Sequence, residues 1–266
     1  MRYHDIIVIA IAWIPILSAF EWKSLFNPPT SSRTSTAAKL NPKKVQAVAA
    51  LEEKLLQCCR SQSLPASQMV TMFEELEQIN PSNEMLLTDP ESLGMIDGPW
   101  NLLYTISNYV GSEESLSTSG VGGVVNASGI QVKATEDRVP IQAINTTSLQ
   151  ISNEVFTNAP IIGEVLVKVM GSFKAVPGFG RRAEVEFQRL EVYKAQKGEK
   201  KGSIFSAEWP FKLLKKIKPE LTNGADPASW LDTTYLSPRV RLGRGNKGSI
   251  FVLEKQEACT STEEGR

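Results

Sequence analysis

The sequence predicts a mainly β protein, in which an antiparallel β-barrel follows an N-terminal helical segment. Short runs rich in β-branched and aromatic residues recur at close spacing after residue 94, a pattern typical of a closed antiparallel sheet. Residues 183–192 alternate in the manner of a strand. Residues 233–253 alternate, turn at a Gly-rich bend and alternate again. The span 94–254, about 160 residues, suits an eight-stranded barrel that can hold one small ligand.

The N-terminus differs in composition from the rest of the chain. Residues 6–17 form an apolar run interrupted by Pro15, preceded by Arg2 and followed by Ser18-Ala19. Twelve residues are too few to span a bilayer, but they fit the apolar region of a signal peptide. We therefore predict a signal peptide at 1–19; a buried helix is the alternative.

A second targeting segment is predicted at 20–44. Between residues 22 and 51 there are no acidic residues, five Lys or Arg, and seven Ser or Thr, which is the composition of a transit peptide. A signal peptide followed by such a segment, here opening with Phe20, resembles the two-part plastid presequence of algae with secondary plastids. The resemblance implies a plastid (chloroplast) address.

Secretion is the alternative address. Asn126 and Asn145 each begin a glycosylation sequon. However, the three cysteines, of which Cys58 and Cys59 are adjacent, do not form a disulfide framework. Free thiols in a reducing plastid stroma suit the sequence better.

The segment 45–80 is predicted to be helical. Apolar residues recur near helical spacing, and Pro65 divides the segment in two. Ser67 is expected to cap the second helix, and the sequence Asn80-Pro81 to end it. One face of that helix is expected to be buried through Val70, Phe73, Leu76 and Ile79.

The barrel domain is predicted at 94–255, before a disordered tail at 256–266. Within 183–192 the apolar side changes from the face of Val185 and Phe187 to the face of Leu190 and Val192. This change predicts a β-bulge, or a strand whose two ends face different environments. Strands are expected at 100–106, 119–125, 129–132, 148–156, 162–170, 183–193, 203–209, 233–236, 240–242 and 249–254.

The composition excludes several classes of chemistry. His4, the only histidine, lies in the predicted presequence, so the mature chain is expected to lack Ser-His-Asp catalysis and His-containing zinc sites. Cys58 and Cys59 are too few to hold a metal alone. Glu184 and Glu186 would share a strand face, which an exposed surface explains without catalysis. We expect no enzymatic activity, cofactor or metal, although lipid turnover by the purified protein would contradict the first of these.

Two further features bear on partners. The sequence Gly243-Arg244-Gly245-Asn246-Lys247-Gly248 matches the dinucleotide fingerprint G-x-G-x-x-G, but strand residues follow it where a helix would be required. A hairpin bend is therefore expected there. The balance of 29 basic and 29 acidic residues does not favour nucleic acid.

A basic-aromatic segment spans 209–218. Its apolar side chains could enter an anionic lipid surface while its lysines bind head groups. A solvated loop, or an edge whose lysines prevent strand pairing, explains it equally well. The candidate membrane-contact residues are Trp209, Phe211, Lys212, Lys215, Lys216 and Lys218.

Three passages resemble the plastid lipid-associated protein family, also called fibrillins. They are Leu76-Glu77-Gln78-Ile79-Asn80-Pro81, then Ile96-Asp97-Gly98-Pro99-Trp100-Asn101-Leu102-Leu103-Tyr104-Thr105, and the C-terminal passage 231–253. The resemblance covers about 45–255. It implies a lipocalin-like β-barrel that binds hydrophobic molecules at thylakoids or plastoglobules, without catalysis of its own.

The sequence Gly98-Pro99-Trp100 is also similar to the Gly-x-Trp opening of lipocalins. That likeness implies that Arg241 or Arg244 stacks on Trp100 and closes one end of the barrel. A guanidinium on an indole face contributes about 0.5–2 kcal/mol. We expect Trp100 to be architectural rather than a ligand contact.

The function expected is non-enzymatic binding or sequestration of a prenylquinone, carotenoid or acyl lipid at a thylakoid or plastoglobule surface. The alternative is a scaffold whose barrel is filled by its own side chains and which coats lipid globules or holds a biosynthetic enzyme. A polar group in an apolar pocket could bind the ligand's head group. The candidate ligand-binding residues are Tyr104, Phe187, Asp232, Tyr235, Arg241 and Arg244.

Overall fold

A computed structural model describes residues 42–82, 84–107, 117–119, 124–127, 130–135, 138–208, 229–245 and 248–257. All of them belong to one compact unit, Lys39–Arg266. The predicted signal peptide, most of the transit-peptide-like segment, the basic-aromatic segment and most of the predicted tail lie outside the described residues.

In the described part of the chain, three helices precede the sheet: α1 (Pro42–Ser61), α2 (Ala66–Gln78) and α3 (Pro90–Ile96). Pro65 separates α1 from α2 as predicted, but it occupies the N-cap position itself. The predicted cap, Ser67, lies inside the first turn, because Pro65 already has the extended backbone that a cap requires. Helix α1 begins at Pro42, within the last residues of the predicted transit segment.

The buried face of α2 agrees with the prediction at Val70, Phe73 and Leu76 but not at Ile79. Ile79 is the C-cap, with φ −102° and ψ 11°, so the helical face ends before it and its side chain is 44% exposed. Asn80 follows and donates its side-chain amide to the carbonyl of Thr234. The end of the helix is thereby attached to the sheet.

Helix α3 was not anticipated from the sequence. Asp89 caps it by accepting hydrogen bonds from the amide and hydroxyl of Ser92, and Pro90 stands in the first turn. Both are recognised start signals. The helix has only 7 residues, too short for an apolar periodicity to reveal it.

Twelve strands follow α3 within the described ranges. Their bounds are β1 (Gly98–Ser107), β2 (Ser117–Ser119), β3 (Val124–Ala127), β4 (Ile130–Lys133), β5 (Ile141–Asn145), β6 (Gln150–Ala159), β7 (Gly163–Val176), β8 (Phe179–Gln196), β9 (Glu199–Glu208), β10 (Ser229–Leu236), β11 (Val240–Gly245) and β12 (Ile250–Lys255). Strand β5 was missed, while the strand predicted at 119–125 corresponds to parts of β2 and β3 around residues outside the described ranges. The predicted Gly-rich hairpin joins β11 to β12, and a strand follows Gly248, which excludes the dinucleotide-binding context.

Eight antiparallel strands form a closed ring. Following the hydrogen bonds, the order is β10-β11-β12-β1-β5-β6-β7-β8, and the first part of β8 pairs back with β10. The ring confirms the predicted mainly β, antiparallel, barrel-like class. Helices α1 and α2 pack against the outer face of β1 and β10–β12 through an apolar cluster that includes Leu55, Phe73, Leu242 and Val252.

Strand β8 divides its pairing between two neighbours. Ala183 and Val185, near its start, lie opposite β10, whereas Arg189 and the residues beyond lie opposite β9. Between these parts the register against β7 shifts, so that Gln188 is skipped in the pairing with β7. This irregularity is the predicted bulge. On β7, Gly171 faces this bulge, and a Cβ there would lie 2.5 Å from the carbonyl oxygen of Glu186.

One end of the ring, here called the floor, is closed by α3 and the turn 84–89. Leu87 donates its amide to the carbonyl of Gly180. A Cβ on Gly180 would lie 2.2 Å from the carbonyl oxygen of Glu84, so only glycine allows this approach. Leu86, Leu87 and Ile96 are thereby buried among the inward-facing side chains. Within the described residues, no helix combines the length and the apolar character needed to cross a membrane.

Candidate functional site

The floor is built around Trp100, which is fully buried at the start of β1. Its indole Nε1 donates to the carbonyl of Ile96 at 2.8 Å. Lys255, opposite it on β12, donates to the carbonyls of Met95 and Asp97, and its Nζ lies 4.5 Å from the centre of the indole. These donors satisfy carbonyls at the end of α3 that have no intrahelical partner.

Arg241 is the arginine that faces Trp100. Its Cζ lies 5.3 Å from the centre of the indole, and its side chain is 1% exposed. Arg244 instead lies on the outer face, 5.0 Å from the ring of Phe73. Of the two arginines that the sequence proposed for Trp100, Arg241 is therefore the one within cation–π distance, while Lys255 lies closer to the ring.

A line of polar groups crosses the inner face from Arg241. The guanidinium donates to the side-chain oxygen of Gln142, whose amide donates to Asn153 at 2.9 Å. Trp100, Gln142 and Asn153 occupy adjacent positions on β1, β5 and β6, so all three project to the same face. Sequence reasoning missed Gln142 and Asn153, although a polar residue at an inward-facing position of β5 and β6 would have been a signal once β5 was recognised.

The charge of Arg241 is incompletely compensated. Burial lowers its pKa to about 9, because an apolar environment disfavours the charged form. Its Nη1 atom lies buried without a hydrogen-bond acceptor among the described residues. A buried cationic donor in this state can stabilise an oxygen atom that enters the ring.

The space beside Arg241 is small. A cavity of about 20 Å³ is lined by apolar side chains, with Thr233 and Arg241 as its polar members. That volume holds about one water molecule. The floor is therefore a filled core, and a lipid tail does not fit beside it without displacement of side chains. The apolar lining residues are Leu87, Ile96, Ile144, Ile151, Phe173, Ala183, Val185 and Leu231.

The inner face beyond the floor is less covered. The registers place Val155, Val167 and Val192 side by side on β6, β7 and β8, on the same face as Phe173 of the floor cavity. We call this part of the ring the upper wall. Six of its apolar side chains remain partly exposed: Leu102, Val167, Phe187, Leu190, Val192 and Phe251. Val155, Val165 and Val169 are buried, and Val155 packs in a small cluster with Ala134 and Leu102.

The predicted ligand residues Tyr104 and Tyr235 lie on the outer face, against α1 and α2. The hydroxyl of Tyr235 donates to Glu52 at 2.6 Å, and burial, together with this contact, raises the pKa of Tyr235. Burial also raises the pKa of Tyr104. Neither side chain lines the floor cavity.

Asp232 and Arg244 are also engaged outside the ring. Both oxygens of Asp232 accept from Arg182 at 2.7 Å. Arg244 donates to both oxygens of Glu77 on α2 at 2.8 Å. Of the six candidate ligand residues, the structure brings Arg241 to the floor and Phe187 to the upper wall. The candidate membrane residues at 209–218 lie outside the described residues.

Two thiols are buried away from this interior. Cys58 and Cys59 are free and lie in α1, and burial raises the pKa of Cys59. A protonated thiol in this state is a poor nucleophile. In the described part of the chain, no group of three His, Cys, Asp or Glu side chains has the arrangement of a metal site.

Comparison with known proteins identifies the family. The family model described as PAP_fibrillin matches residues 43–254. This chain belongs to the PAP/fibrillin family. The match covers α1, α2, α3 and nearly the whole ring, so the fibrillin assignment applies to the described unit.

Two curated relatives show how far the likeness extends. "Probable plastid-lipid-associated protein 12, chloroplastic" from Arabidopsis thaliana is 29% identical over 174 residues, which are 64% of this chain and 35% of that protein. "Light-induced protein, chloroplastic" from Solanum tuberosum is 24% identical over 216 residues, 71% of this chain and 60% of that protein. This fibrillin chain thus spans about a third and three fifths of their lengths.

A solved structure of a lipocalin-like protein from Bacteroides uniformis also matches. It is 10% identical, covers 61% of this chain and 100% of its own, and has a TM-score of 0.29.

Proposed function

We propose that this fibrillin binds a hydrophobic lipid, of the prenylquinone, carotenoid or acyl class, inside the ring and without catalysis. The observation that carries the proposal is the upper wall, where six inward-facing apolar side chains remain partly exposed above a filled floor. Exposed apolar surface on a concave face is the usual wall of a small-molecule site.

The energetics favour a long apolar ligand. Covering the upper wall stabilises the complex by about 25 cal/mol per Å² of apolar surface buried, before the cost of ordering the ligand. The ligand's polar end would point to the floor, where Nη1 of Arg241 can donate to an oxygen. Phe187 and Val192 of the upper wall would contact the tail.

The proposed location is the plastid, at a thylakoid or plastoglobule surface. The chloroplastic relatives and the composition of residues 20–44 support the plastid. The predicted membrane residues Trp209, Phe211, Lys212, Lys215, Lys216 and Lys218 would contribute to surface contact. Replacing the four lysines by Gln would then weaken binding to anionic vesicles.

Extraction tests the ligand proposal directly. The protein purified from its plastid is extracted with organic solvent, and the extract is analysed by mass spectrometry. We expect a prenylquinone, carotenoid or acyl lipid in an amount comparable to that of the protein. An empty extract would overturn the proposal, and turnover of any lipid would overturn its non-enzymatic part.

A matched pair of variants places the ligand. Val167→Phe adds a ring on the inner face of β7 and should reduce the extracted lipid several-fold. Met170→Phe adds a ring on the outer face of the same strand and should leave the lipid unchanged. Equal lipid in both variants would place the ligand elsewhere.

A scaffold function is the second candidate, and the filled floor favours it. With about 20 Å³ of free space beside Arg241, the lower part of the ring is a packed core of the kind that supports a rigid surface. In that case the extract would be empty while the protein still binds lipid globules or a biosynthetic enzyme.

A further inference from the structure

Two neighbouring hairpin tips at the end of the ring opposite the floor form an unusual surface. Gly98 of β1 pairs with Ile144 of β5 near the floor, and the next residue of β5, Asn145, pairs with Gln150 at the start of β6. Strand β6 therefore begins at the floor end and reaches the opposite end at Ala159. The turn 160–162 between β6 and β7 therefore lies at the far end. The turn 197–198 between β8 and β9 lies beside it, because the amide of Gly198 donates to Glu164 at 3.3 Å.

The first tip is apolar and strained. Pro160, Ile161 and Ile162 are all exposed, with Ile161 exposed to 82%. Ile161 has φ 73°, and the amide of Ile162 donates to the carbonyl of Pro160 at 2.9 Å. This is the rare γ-turn with positive φ, which a β-branched residue adopts only at a cost in strain.

The positive φ and the exposure of Ile161 each lower the stability of the free protein. A glycine at 161 would relieve the backbone strain, and a polar residue would remove the apolar exposure. Strain of this kind is common at functional sites, and Ile161, unlike the strained Leu149, adjoins a second exposed isoleucine. An isoleucine that is both strained and exposed at a protruding tip indicates a binding partner that buries it.

The second tip is basic. Four exposed lysines lie within four residues of Gly198 in the chain: Lys194, Lys197, Lys200 and Lys201. The guanidinium of Arg138 lies against the same glycine. Two acidic groups lie in the same region: Glu164 accepts from the Gly198 amide, and Glu199 forms an ion pair with Lys201 at 2.6 Å. Five basic side chains therefore stand against two carboxylates at the second tip, which carries an excess of positive charge. The exposed apolar side chains of the first tip lie beside it.

We propose that the turns 160–162 and 197–198 form a docking surface for an anionic lipid membrane or globule, with Ile161 and Ile162 inserted among the acyl chains. Apolar residues that dip into the interface beside lysines that bind anionic head groups are the mode by which peripheral proteins bind lipid surfaces. Three apolar residues are too few for a stable protein partner, which buries about 800 Å² on each side.

This inference deepens the proposed lipid association and rests on it. The docked ring would present its upper wall, rather than its floor, to the lipid surface. A ligand could then pass between the surface and the upper wall without crossing bulk water.

Vesicle co-sedimentation of the full chain tests the docking surface. The probes are phosphatidylcholine vesicles with and without phosphatidylglycerol. The wild-type chain should bind the anionic vesicles more tightly. The double variant Ile161→Ser, Ile162→Ser should lose at least about tenfold in affinity, since two aliphatic side chains are removed from the interface.

Two further variants test the lysines and the backbone strain at Ile161 separately. Replacing Lys194, Lys197, Lys200 and Lys201 by Gln should reduce the preference for anionic vesicles, and an unchanged preference would contradict the basic part of the docking surface. Ile161→Gly should keep or raise the midpoint of thermal unfolding while it weakens vesicle binding. A structural role for Ile161 would instead lower both.

Matched controls lie at the floor end. Leu149 is 46% exposed and also has positive φ, at 54°, and Lys174 is exposed on β7. Leu149→Ser and Lys174→Gln should leave vesicle binding unchanged. Unchanged binding in the tip variants would overturn the docking surface while leaving the ligand proposal to its own extraction test.

Discussion

The floor and the upper wall are built from the same strands, yet they differ in how their inner faces are covered. At the floor, α3 and the turn 84–89 insert Leu87 and Ile96 among the inward-facing side chains, and about 20 Å³ of space remains. Along the upper wall, side chains such as Val167 and Val192 stay partly exposed. Closure of a ring therefore does not decide whether it is a core or a container. The elements that enter one end decide it.

The largest expected effect is the loss of Trp100. Trp100→Ala should lower the free energy of unfolding by about 3–5 kcal/mol, because a large buried side chain leaves a cavity in a packed core. Chemical denaturation measures this. Phe187→Ala on the upper wall should cost about 1–2 kcal/mol, since its side chain is already partly exposed. Equal losses would show that the two regions are packed alike.

A substitution at the boundary between the two regions should have the next largest effect. Gly171→Ala places a Cβ against the carbonyl of Glu186 at the β8 bulge, and we expect a loss of about 1–3 kcal/mol from overpacking. Gly202→Ala on β9 is the control, because a Cβ there meets no atom within 4 Å. If both variants unfold at the same denaturant concentration as the wild type, the backbone at the bulge can shift to accommodate the extra methyl group. The close contact at Gly171 would then not contribute to stability.

The outer face should respond without any effect on the interior. Tyr235→Phe removes the donor to the buried Glu52 and should cost about 1–2 kcal/mol at neutral pH. The pKa of Tyr235 is raised, so the stability it contributes is present below its unfolded pKa of about 10 and is lost as the pH rises above that value. The variant should therefore show a weaker alkaline loss, followed by denaturation at several pH values, with unchanged lipid content.

The smallest change in stability is expected at Arg241. Arg241→Met removes a buried charge that is incompletely compensated, so the free energy of unfolding should stay within about 1 kcal/mol of the wild type or rise. The extracted lipid should fall, because the donor for its polar end is gone. Arg244→Met breaks the outer ion pair with Glu77 and should lower stability by about 1 kcal/mol with lipid retained. Strong destabilisation by Arg241→Met would make this arginine structural alone.

The sequence predicted the features that depend on local pattern. The change of apolar side within 183–192 predicted the β8 bulge, and the strand after Gly248 predicted a hairpin in place of a nucleotide site. The Gly98-Pro99-Trp100 likeness predicted the contact between Trp100 and an arginine. Each of these depends on residues close together in the chain, or on one well-marked motif.

The faces of individual ligand candidates could not be predicted, and two bulges explain why. The register of β1 against β12 shifts between Leu102 and Tyr104, and that of β10 against β11 shifts between Thr233 and Tyr235. Without these shifts, strict alternation would project both tyrosines inward beside Trp100 and Thr233. Arg241 and Arg244 are three residues apart, so one of them had to face outward, but no local signal identified which.

Because β8 pairs with β10 near the floor and with β9 higher up, the circumference of the ring can change more easily at the upper wall than at the floor. Near the floor, widening the ring would break the hydrogen bonds between β8 and β10. Higher up, β8 pairs with β9, and in the described part of the chain β9 has no second neighbouring strand. Widening the ring at that level therefore breaks no described hydrogen-bonded strand pair. Ligands of different width would then require similar free energies to enter this part of the proposed site.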